Sequence, residues 1–254
     1  MTNISIHDLD GSGDLRQAAE DAGAWDPSGT RRDLLKRAGI GGVAVFGMGA
    51  LLSPLDAMAS ATASQKGEFS RSGSRSIRRG RPNTNDVKIG NYALTLEYLE
   101  AAFYAAAAKA GYPDADIAAA ATKLAAHEAA HVAALKKVLG RAAVKAPTIN
   151  LDTVGKLLAD QVTFIKTAAA IEPVGTAAYA GAGPYLNNLA IVKAALSIHS
   201  VEANHAAYTA ALVKFKGIDA NADPIPNAFN PANSFTKTVG IVTKLNVVKG
   251  DLQP

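Results

Sequence analysis

The chain has 254 residues, 48% of them hydrophobic, which is enough to bury the core of an ordinary domain without covalent cross-links. It contains no cysteine, so disulfides, thiolate metal sites, cysteine nucleophiles and a lipoprotein anchor are excluded. The formal net charge is +4, and from residue 85 onward 15 Lys+Arg stand against 13 Asp+Glu. This near balance does not indicate a nucleic-acid-binding protein.

Residues 1–61 are predicted to be an export signal region. Residues 30–36, "TRRDLLK", resemble the twin-arginine motif, in which two arginines precede a variable residue and two apolar ones. An uncharged run of 18 residues follows, and "DAMASATA" offers small-residue cleavage sites after Ala59 or Ala61. The run is just long enough to span a membrane, but its five glycines favour a signal peptide over an anchor. We therefore expect export by the twin-arginine machinery to the periplasm or the cell exterior.

Residues 62–84 are polar, rich in arginine and without periodicity, which predicts a flexible linker. Apolar spacing and flanking Asp, Gly and Pro then predict four helices, at about 86–110, 114–140, 152–180 and 184–217. Pro173 lies inside the third, where it predicts a kink, and Pro184 is placed in the first turn of the fourth. No strand pattern of any strength occurs. In the C-terminal extension, 218–254, the stretch "VGIVTKLNVV" favours a short helix.

Loop lengths indicate how these helices are arranged. Only a few residues join the first helix to the second and the third to the fourth, so each pair should form an antiparallel hairpin. About eleven residues, "RAAVKAPTINL", separate the two pairs. Extended, they reach roughly 36–40 Å, about the length of a 26-residue helix. The prediction is an all-α, ferritin-like four-helix bundle over residues 85–217, with two hairpins joined by a long crossover.

Glutamate and histidine are scarce from residue 85 onward and fall into a repeat. Five glutamates and four histidines occur there. Each half of the bundle carries Glu-x6-Tyr, followed 31 or 30 residues after its glutamate by Glu-x-x-His. The first half holds Glu97, Tyr104, Glu128 and His131, and the second holds Glu172, Tyr179, Glu202 and His205.

This repeat predicts a dinuclear metal site. Residues i and i+3 share a helix face, so each Glu-x-x-His presents one oxygen and one nitrogen ligand to the bundle axis. Two single glutamates with two Glu-x-x-His motifs are the ligands of di-iron and di-manganese sites in ferritin-like proteins. Four carboxylates balance two divalent cations, and oxygen and nitrogen donors suit iron or manganese. We predict two Fe ions, with Mn as the alternative, bound by Glu97, Glu128, His131, Glu172, Glu202 and His205.

Residues 127–131, "HEAAH", also match the H-E-x-x-H motif of zinc proteases, in which both histidines bind zinc and the glutamate acts as a base. The second half of the repeat has Val201 directly before Glu202, so the two halves share only E-x-x-H. The repeat therefore favours the dinuclear site over the zinc site.

Five residues near the predicted ligands keep alternative roles. Glu100, one turn from Glu97, is the rival ligand on the first helix, although the repeat with the tyrosines favours Glu97. The tyrosines either hydrogen-bond to ligand carboxylates or only pack. His127 and His199 are either partly exposed or hydrogen-bonded behind the ligands, and His199 lies three residues before Glu202 and can approach the site. The residues with open roles are Tyr104, Tyr179, His127, His199 and Glu100.

The stretches "LTLEYLEAAFY", "HEAAH", "IEPVGTAAYAGAGPYL" and "LSIHSVEANHAAY" resemble the exported ferritin-like family that includes plant desiccation-related and fungal stress-response proteins. The likeness covers about residues 87–216. It implies a four-helix bundle with a dinuclear metal site at the six predicted ligands, but it brings no settled activity.

Three functions remain open at this point. The first is ferroxidase-like oxidation of ferrous iron by O2 or peroxide in stress protection, the second is a manganese catalase-like activity, and the third is a structural or stress-protection role of a metal-stabilised bundle. The expected partners are metal ions, O2 or peroxide and the export machinery. Formation of a homo-oligomer is left open.

Overall fold

The computed structural model describes residues 79–249. The predicted signal region and the linker up to residue 78 lie outside the described residues. Within 79–249 the protein is all-α, as predicted, with no β-strand. Its helices are α1 (Thr84–Ala107), α2 (Ala115–Leu139), α3 (Leu151–Leu157), α4 (Gln161–Ala182), α5 (Leu189–Phe215) and α6 (Phe235–Leu245). In this part of the chain, no helix combines the length and the hydrophobicity that a membrane span requires.

Four long helices form the bundle as two hairpins. α1 packs along α2 and α4 packs along α5, while contacts between α2 and α5 and between α1 and α4 join the hairpins. Polar side chains cap the N-termini of the helices. The Asp114 side chain accepts hydrogen bonds from backbone N–H groups in the first turn of α2, and the Asn188 side chain does so in the first turn of α5. Asp86 forms a capping box with Asn83 and also accepts a hydrogen bond from Asn188 N at 3.1 Å. The starts of α1 and α5 are therefore tied together.

Two predicted helix boundaries are wrong. The helix predicted over 152–180 is divided into α3 and α4, because Asp160 caps α4 by accepting hydrogen bonds from two backbone N–H groups of its first turn. The last bundle helix begins at Leu189 instead of Pro184, which lies in a 3₁₀ turn over Gly183–Tyr185. In both cases a side-chain cap, Asp160 or Asn188, determines where the helix begins.

The segment 140–150 connects the hairpins. It begins with a 3₁₀ turn at Gly140–Ala142 and is held against α1 by Asn91. The Asn91 side chain donates to a carbonyl of that turn at 2.9 Å and accepts from Val144 N at 3.0 Å. Near the end of the crossover, Asn150 N donates to Val247 O at 2.8 Å. The crossover is thus attached to the bundle at one end and to the C-terminal extension at the other.

The apolar core consists of two clusters. One includes the fully buried Leu94 of α1 and Ile191 of α5, and the other includes Leu124 of α2 and Phe164 of α4. On α2, α4 and α5 the repeat glutamate lies between the positions that feed the two clusters, and on α1 Glu97 lies two residues before Leu99, the last position that feeds the first cluster. The four carboxylates are therefore at one level, in the middle of the bundle.

The C-terminal extension packs on the bundle. The short helix expected there is present as α6, which begins four residues earlier than the stretch that predicted it. Val242 joins the first apolar cluster, the ring of Phe235 lies 5.1 Å from that of Tyr92, and Asn233 N donates to Ala177 O at 2.9 Å. These contacts place α6 beside α4 and the start of α1.

Candidate metal centre

The structure brings together all six residues that the sequence predicts as ligands. The four glutamates are 0% exposed, and the two histidines are 8% and 4% exposed. Each histidine lies one turn beyond a glutamate on the same helix face, as the i, i+3 spacing predicts. The six residues are Glu97 of α1, Glu128 and His131 of α2, Glu172 of α4, and Glu202 and His205 of α5.

Their ligand atoms form two overlapping groups, and within each group all atoms lie within 4.8 Å of one another. Glu128 and Glu202 belong to both groups, so the two helices with Glu-x-x-His motifs supply the shared carboxylates. Each lone glutamate and each histidine belongs to one group. The first group is Glu97, Glu128, His131 and Glu202, and the second is Glu128, Glu172, Glu202 and His205.

Both imidazole rings turn Nδ1 toward the carboxylates. His131 Nδ1 lies 3.0 Å from Glu128 Oε2 and 3.0 Å from Glu202 Oε1. His205 Nδ1 lies 3.0 Å from Glu128 Oε1 and 3.4 Å from Glu172 Oε2. Since Nδ1 points inward in both rings, Nδ1 is the nitrogen available to a metal, and Nε2 faces away from the cluster.

The two repeat tyrosines hold the lone glutamates in a crossed arrangement. The Tyr179 hydroxyl donates to Glu97 Oε1 at 2.6 Å, and the Tyr104 hydroxyl donates to Glu172 Oε1. The tyrosine of each half therefore binds the carboxylate of the other half, between α1 and α4. Of the two roles left open by the sequence, hydrogen bonding is the one observed. Each bond occupies one carboxylate oxygen and leaves Oε2 facing a histidine.

Glu100, the rival ligand on α1, is buried beside the cluster but belongs to neither group. Gly175 of α4 marks its position, because a Cβ added there would lie 3.2 Å from Glu100 Oε1 and 3.3 Å from Glu202 Oε2. The glycine leaves room for both carboxylates. The sequence analysis did not identify Gly175 as part of the site. Its position three residues after Glu172, on the same helix face, could have indicated that it lies beside the carboxylates.

His127 contacts a predicted ligand without joining either group. Its Nδ1 lies 2.8 Å from His205 Nε2, and the two rings stack with their centroids 5.1 Å apart. A partner on the outer nitrogen is the usual support of a metal-binding histidine, because it fixes the tautomer and the ring orientation. His199, which was expected to be able to approach the site, is half-buried and belongs to neither group. The histidines of "HEAAH" do not converge on one position, which argues against the zinc-protease interpretation.

In the metal-free protein the cluster distributes its charges unevenly. Burial raises the pKa of Glu97 well above its ordinary value and raises the pKa of Glu172 to about 8. Burial acts the same way on Glu128, but close contacts with the imidazoles of His131 and His205 outweigh it and lower the pKa of Glu128 to about 2. Burial disfavours charged histidine, yet close contacts with the carboxylates raise the pKa of His131 to about 12 and that of His205 to about 11. Two imidazolium charges therefore compensate the carboxylates.

The buried polar atoms of the cluster test whether metal ions fit. Among the described residues, five ligand atoms approach other ligand atoms as ion-pair contacts but form no bond with hydrogen-bond geometry: both oxygens of Glu202, Oε1 of Glu128, Oε2 of Glu172 and Nδ1 of His205. A buried polar atom without a hydrogen bond costs about 1–3 kcal/mol, and coordinated cations would give all five atoms a partner. Four carboxylates with neutral imidazoles carry the charge that two divalent cations neutralise. The residues therefore fit a dinuclear centre.

Comparison with known protein families agrees with this geometry. The family model of the ferritin-like domain matches residues 85–214, which extend from the first turn of α1 to the end of α5 and include all six clustered residues. Comparisons with curated proteins and with solved structures found no significant match. The family match covers 130 of the 254 residues. The chain therefore belongs to the ferritin-like domain family, and its bundle carries a buried cluster of glutamate and histidine that can hold metal.

Proposed function

We propose that the protein holds two iron ions in this cluster and oxidises ferrous iron with dioxygen or peroxide, in a protective role outside the cytoplasm. The observation that carries the proposal is the pair of overlapping ligand groups, each with three carboxylates and one imidazole. Oxygen and nitrogen donors without sulfur are typical of iron and manganese sites. Carboxylates shared between two positions would hold two metals near each other, so that together they could supply two electrons to one oxidant.

Each residue of the centre has a definite role in this proposal. Glu128 and Glu202 would contribute to both metal positions, since both belong to both groups. One lone glutamate and one histidine complete each position. Tyr104 and Tyr179 fix Oε1 of the lone glutamates and so leave Oε2 to the metal. Pro173 lacks a backbone N–H and weakens α4 directly after the glutamate of that helix, which gives this carboxylate freedom to change its coordination.

When bound, two ferrous ions supply one electron each, so that one dioxygen and two protons yield hydrogen peroxide and two ferric ions. The chain provides four carboxylates that stabilise the added positive charge of the ferric state. The described residues form one small site within a single bundle. We therefore expect about two irons per chain and no stored mineral.

The test is oxygen uptake by ferrous-loaded protein. After anaerobic loading, exposure to air should consume oxygen and produce the near-ultraviolet absorption of ferric iron. Glu172→Ala should greatly reduce the rate because it removes a ligand of the second group, whereas His199→Ala, a histidine outside both groups, should not. Ferrous protein that stays inert in air would leave only the structural role. Rapid peroxide disproportionation by the manganese-loaded form alone would favour the catalase.

Export is part of the proposal and rests on the motif "TRRDLLK". The twin-arginine route carries folded proteins, so a metal can be inserted in the cytoplasm, where its supply is controlled. Changing Arg31 and Arg32 together to lysine should trap the precursor inside the cell, as fractionation and immunoblotting would show. Normal export of the double variant would contradict the assignment.

A further inference from the structure

An apolar cavity lies beside the carboxylate cluster. It has a volume of about 60 Å³ and is lined by α1, α3, α4, α6 and the ends of the crossover and the extension. Since about 10–15 Å³ is enough to hold one water-sized molecule, the cavity has room for several. Its walls are mostly hydrocarbon and include the side chains of Leu99, Val174 and Val242. Such walls disfavour bound water, because a water molecule needs two to four polar partners.

The cavity has one charged wall, and it faces the proposed metal centre. Within residues 79–249, Glu100 is the only charged residue of the lining, and Gly175 lies next to it. A Cβ at Gly175 would lie 3.2 Å from Glu100 Oε1 and 3.3 Å from Glu202 Oε2, so Gly175 lies between the cavity and a carboxylate shared by both ligand groups. The hydroxyl of Thr167, the other polar side chain of the lining, already donates to Thr163 O at 2.8 Å.

We propose that this cavity stores dioxygen and delivers it to the metal centre past Gly175. The inference rests on the proposed function and chooses between its two oxidants. Dioxygen is apolar and enters a cavity with hydrocarbon walls without losing hydrogen bonds. Hydrogen peroxide has two O–H groups, and burying a hydroxyl without a partner costs about 1–3 kcal/mol by protein mutational data. The Glu100 carboxylate can hydrogen-bond to peroxide only where it reaches the cavity wall. The rest of the cavity volume favours dioxygen over hydrogen peroxide.

The outer side of the cavity is formed by a segment that does not belong to the four-helix bundle. Ile241, Val242 and Leu245 of α6 line it, together with Val247, whose carbonyl accepts a hydrogen bond from Asn150 N in the crossover. α6 therefore covers one side of an apolar space that the bundle alone would leave more open to water. This gives the C-terminal extension a function at the site, as an element that shields the dioxygen cavity from water.

Xenon is the probe for the cavity, because it binds in apolar cavities independently of metal and of catalysis. In crystals of the full chain under xenon pressure, anomalous scattering should place the gas between Leu99 and Val174. Val174→Phe should abolish this xenon site. In ferrous-loaded protein the same change should slow oxygen uptake at least about tenfold, with the metal content unchanged and the rate with added hydrogen peroxide unaffected.

A second pair of variants tests the passage itself. Gly175→Ala adds one methyl group between the cavity and the carboxylates, and at equal metal content it should also slow the reaction with dioxygen. Gly155→Ala is the matched control, since its added methyl group meets no atom within 4 Å. Two results would overturn the role of the cavity and leave the proposed function intact. One is an active protein that binds no xenon in the cavity, and the other is full oxygen uptake in both Val174→Phe and Gly175→Ala. Xenon in the cavity of a protein that is inert with ferrous iron would overturn the proposed function and this role with it.

Discussion

Glu128→Gln and Glu202→Gln are each expected to abolish metal binding at both positions. Each residue contributes an oxygen to both ligand groups, and glutamine keeps the volume of the side chain while removing its charge. The remaining set in each group would be two carboxylates and one imidazole, and the four-carboxylate balance of two divalent cations would be lost. We expect metal affinity to fall by more than about 100-fold, beyond the effect of changing outer hydrogen-bond partners.

The matched comparison is with the lone glutamates. Glu97→Gln and Glu172→Gln each change one group only, so these variants should keep about one metal per chain. Metal analysis after exhaustive dialysis measures the difference directly. His127→Ala should retain two metals at saturation, because His127 contacts His205 but belongs to neither group. Loss of all metal in His127→Ala, with full binding in Glu202→Gln, would restore the zinc interpretation of "HEAAH".

The metal-free protein is expected to lose stability as the pH rises from about 5 to about 8. The pKa of Glu172 is about 8 in the folded protein against an ordinary 4.5, so between these values the folded chain holds a proton that the unfolded chain releases. The pKa values of His131 and His205, about 12 and about 11 against 6.5, act in the same direction above pH 6.5. The free energy of unfolding therefore falls as the pH rises.

Acid has the opposite effect through Glu128. Its pKa of about 2 in the folded protein lies below the ordinary 4.5, so the stability it contributes is present above pH 4.5 and is lost as the pH falls toward 2. The metal-free protein should therefore be most stable near pH 5. Bound cations replace the protons of Glu172 and the two histidines, so metal binding should release protons and raise the melting temperature most at high pH.

Thermal unfolding of metal-free and metal-loaded protein between pH 4.5 and 9 measures this dependence. Glu172→Gln is the control, because it removes one titrating group and should flatten the decline of the metal-free curve between pH 4.5 and 8. A metal-free protein that becomes more stable over this range would contradict the assigned protonation states.

Local spacing along the chain was sufficient to predict the bundle and its six central residues. An i, i+3 pair shares a helix face in any helix, so Glu128 with His131 and Glu202 with His205 follow from the sequence alone. The crossover length constrains how two hairpins can be joined, because a chain of given length has a maximum reach. The chemistry of four carboxylates and two imidazoles then limits which metals suit the site.

Contacts between helices were decided by the tertiary structure, because they depend on the rotation and axial position of each helix, which spacing does not encode. The sequence showed that Glu97 and Tyr104 are paired in a repeat, but Tyr104 donates to Glu172 on α4 instead. It marked His127 as unrepeated, whereas only the packing of α2 on α5 places His127 against His205. The space beside Gly175 exists because α6 packs over α1 and α4, and no pattern within one helix reports the volume left between several.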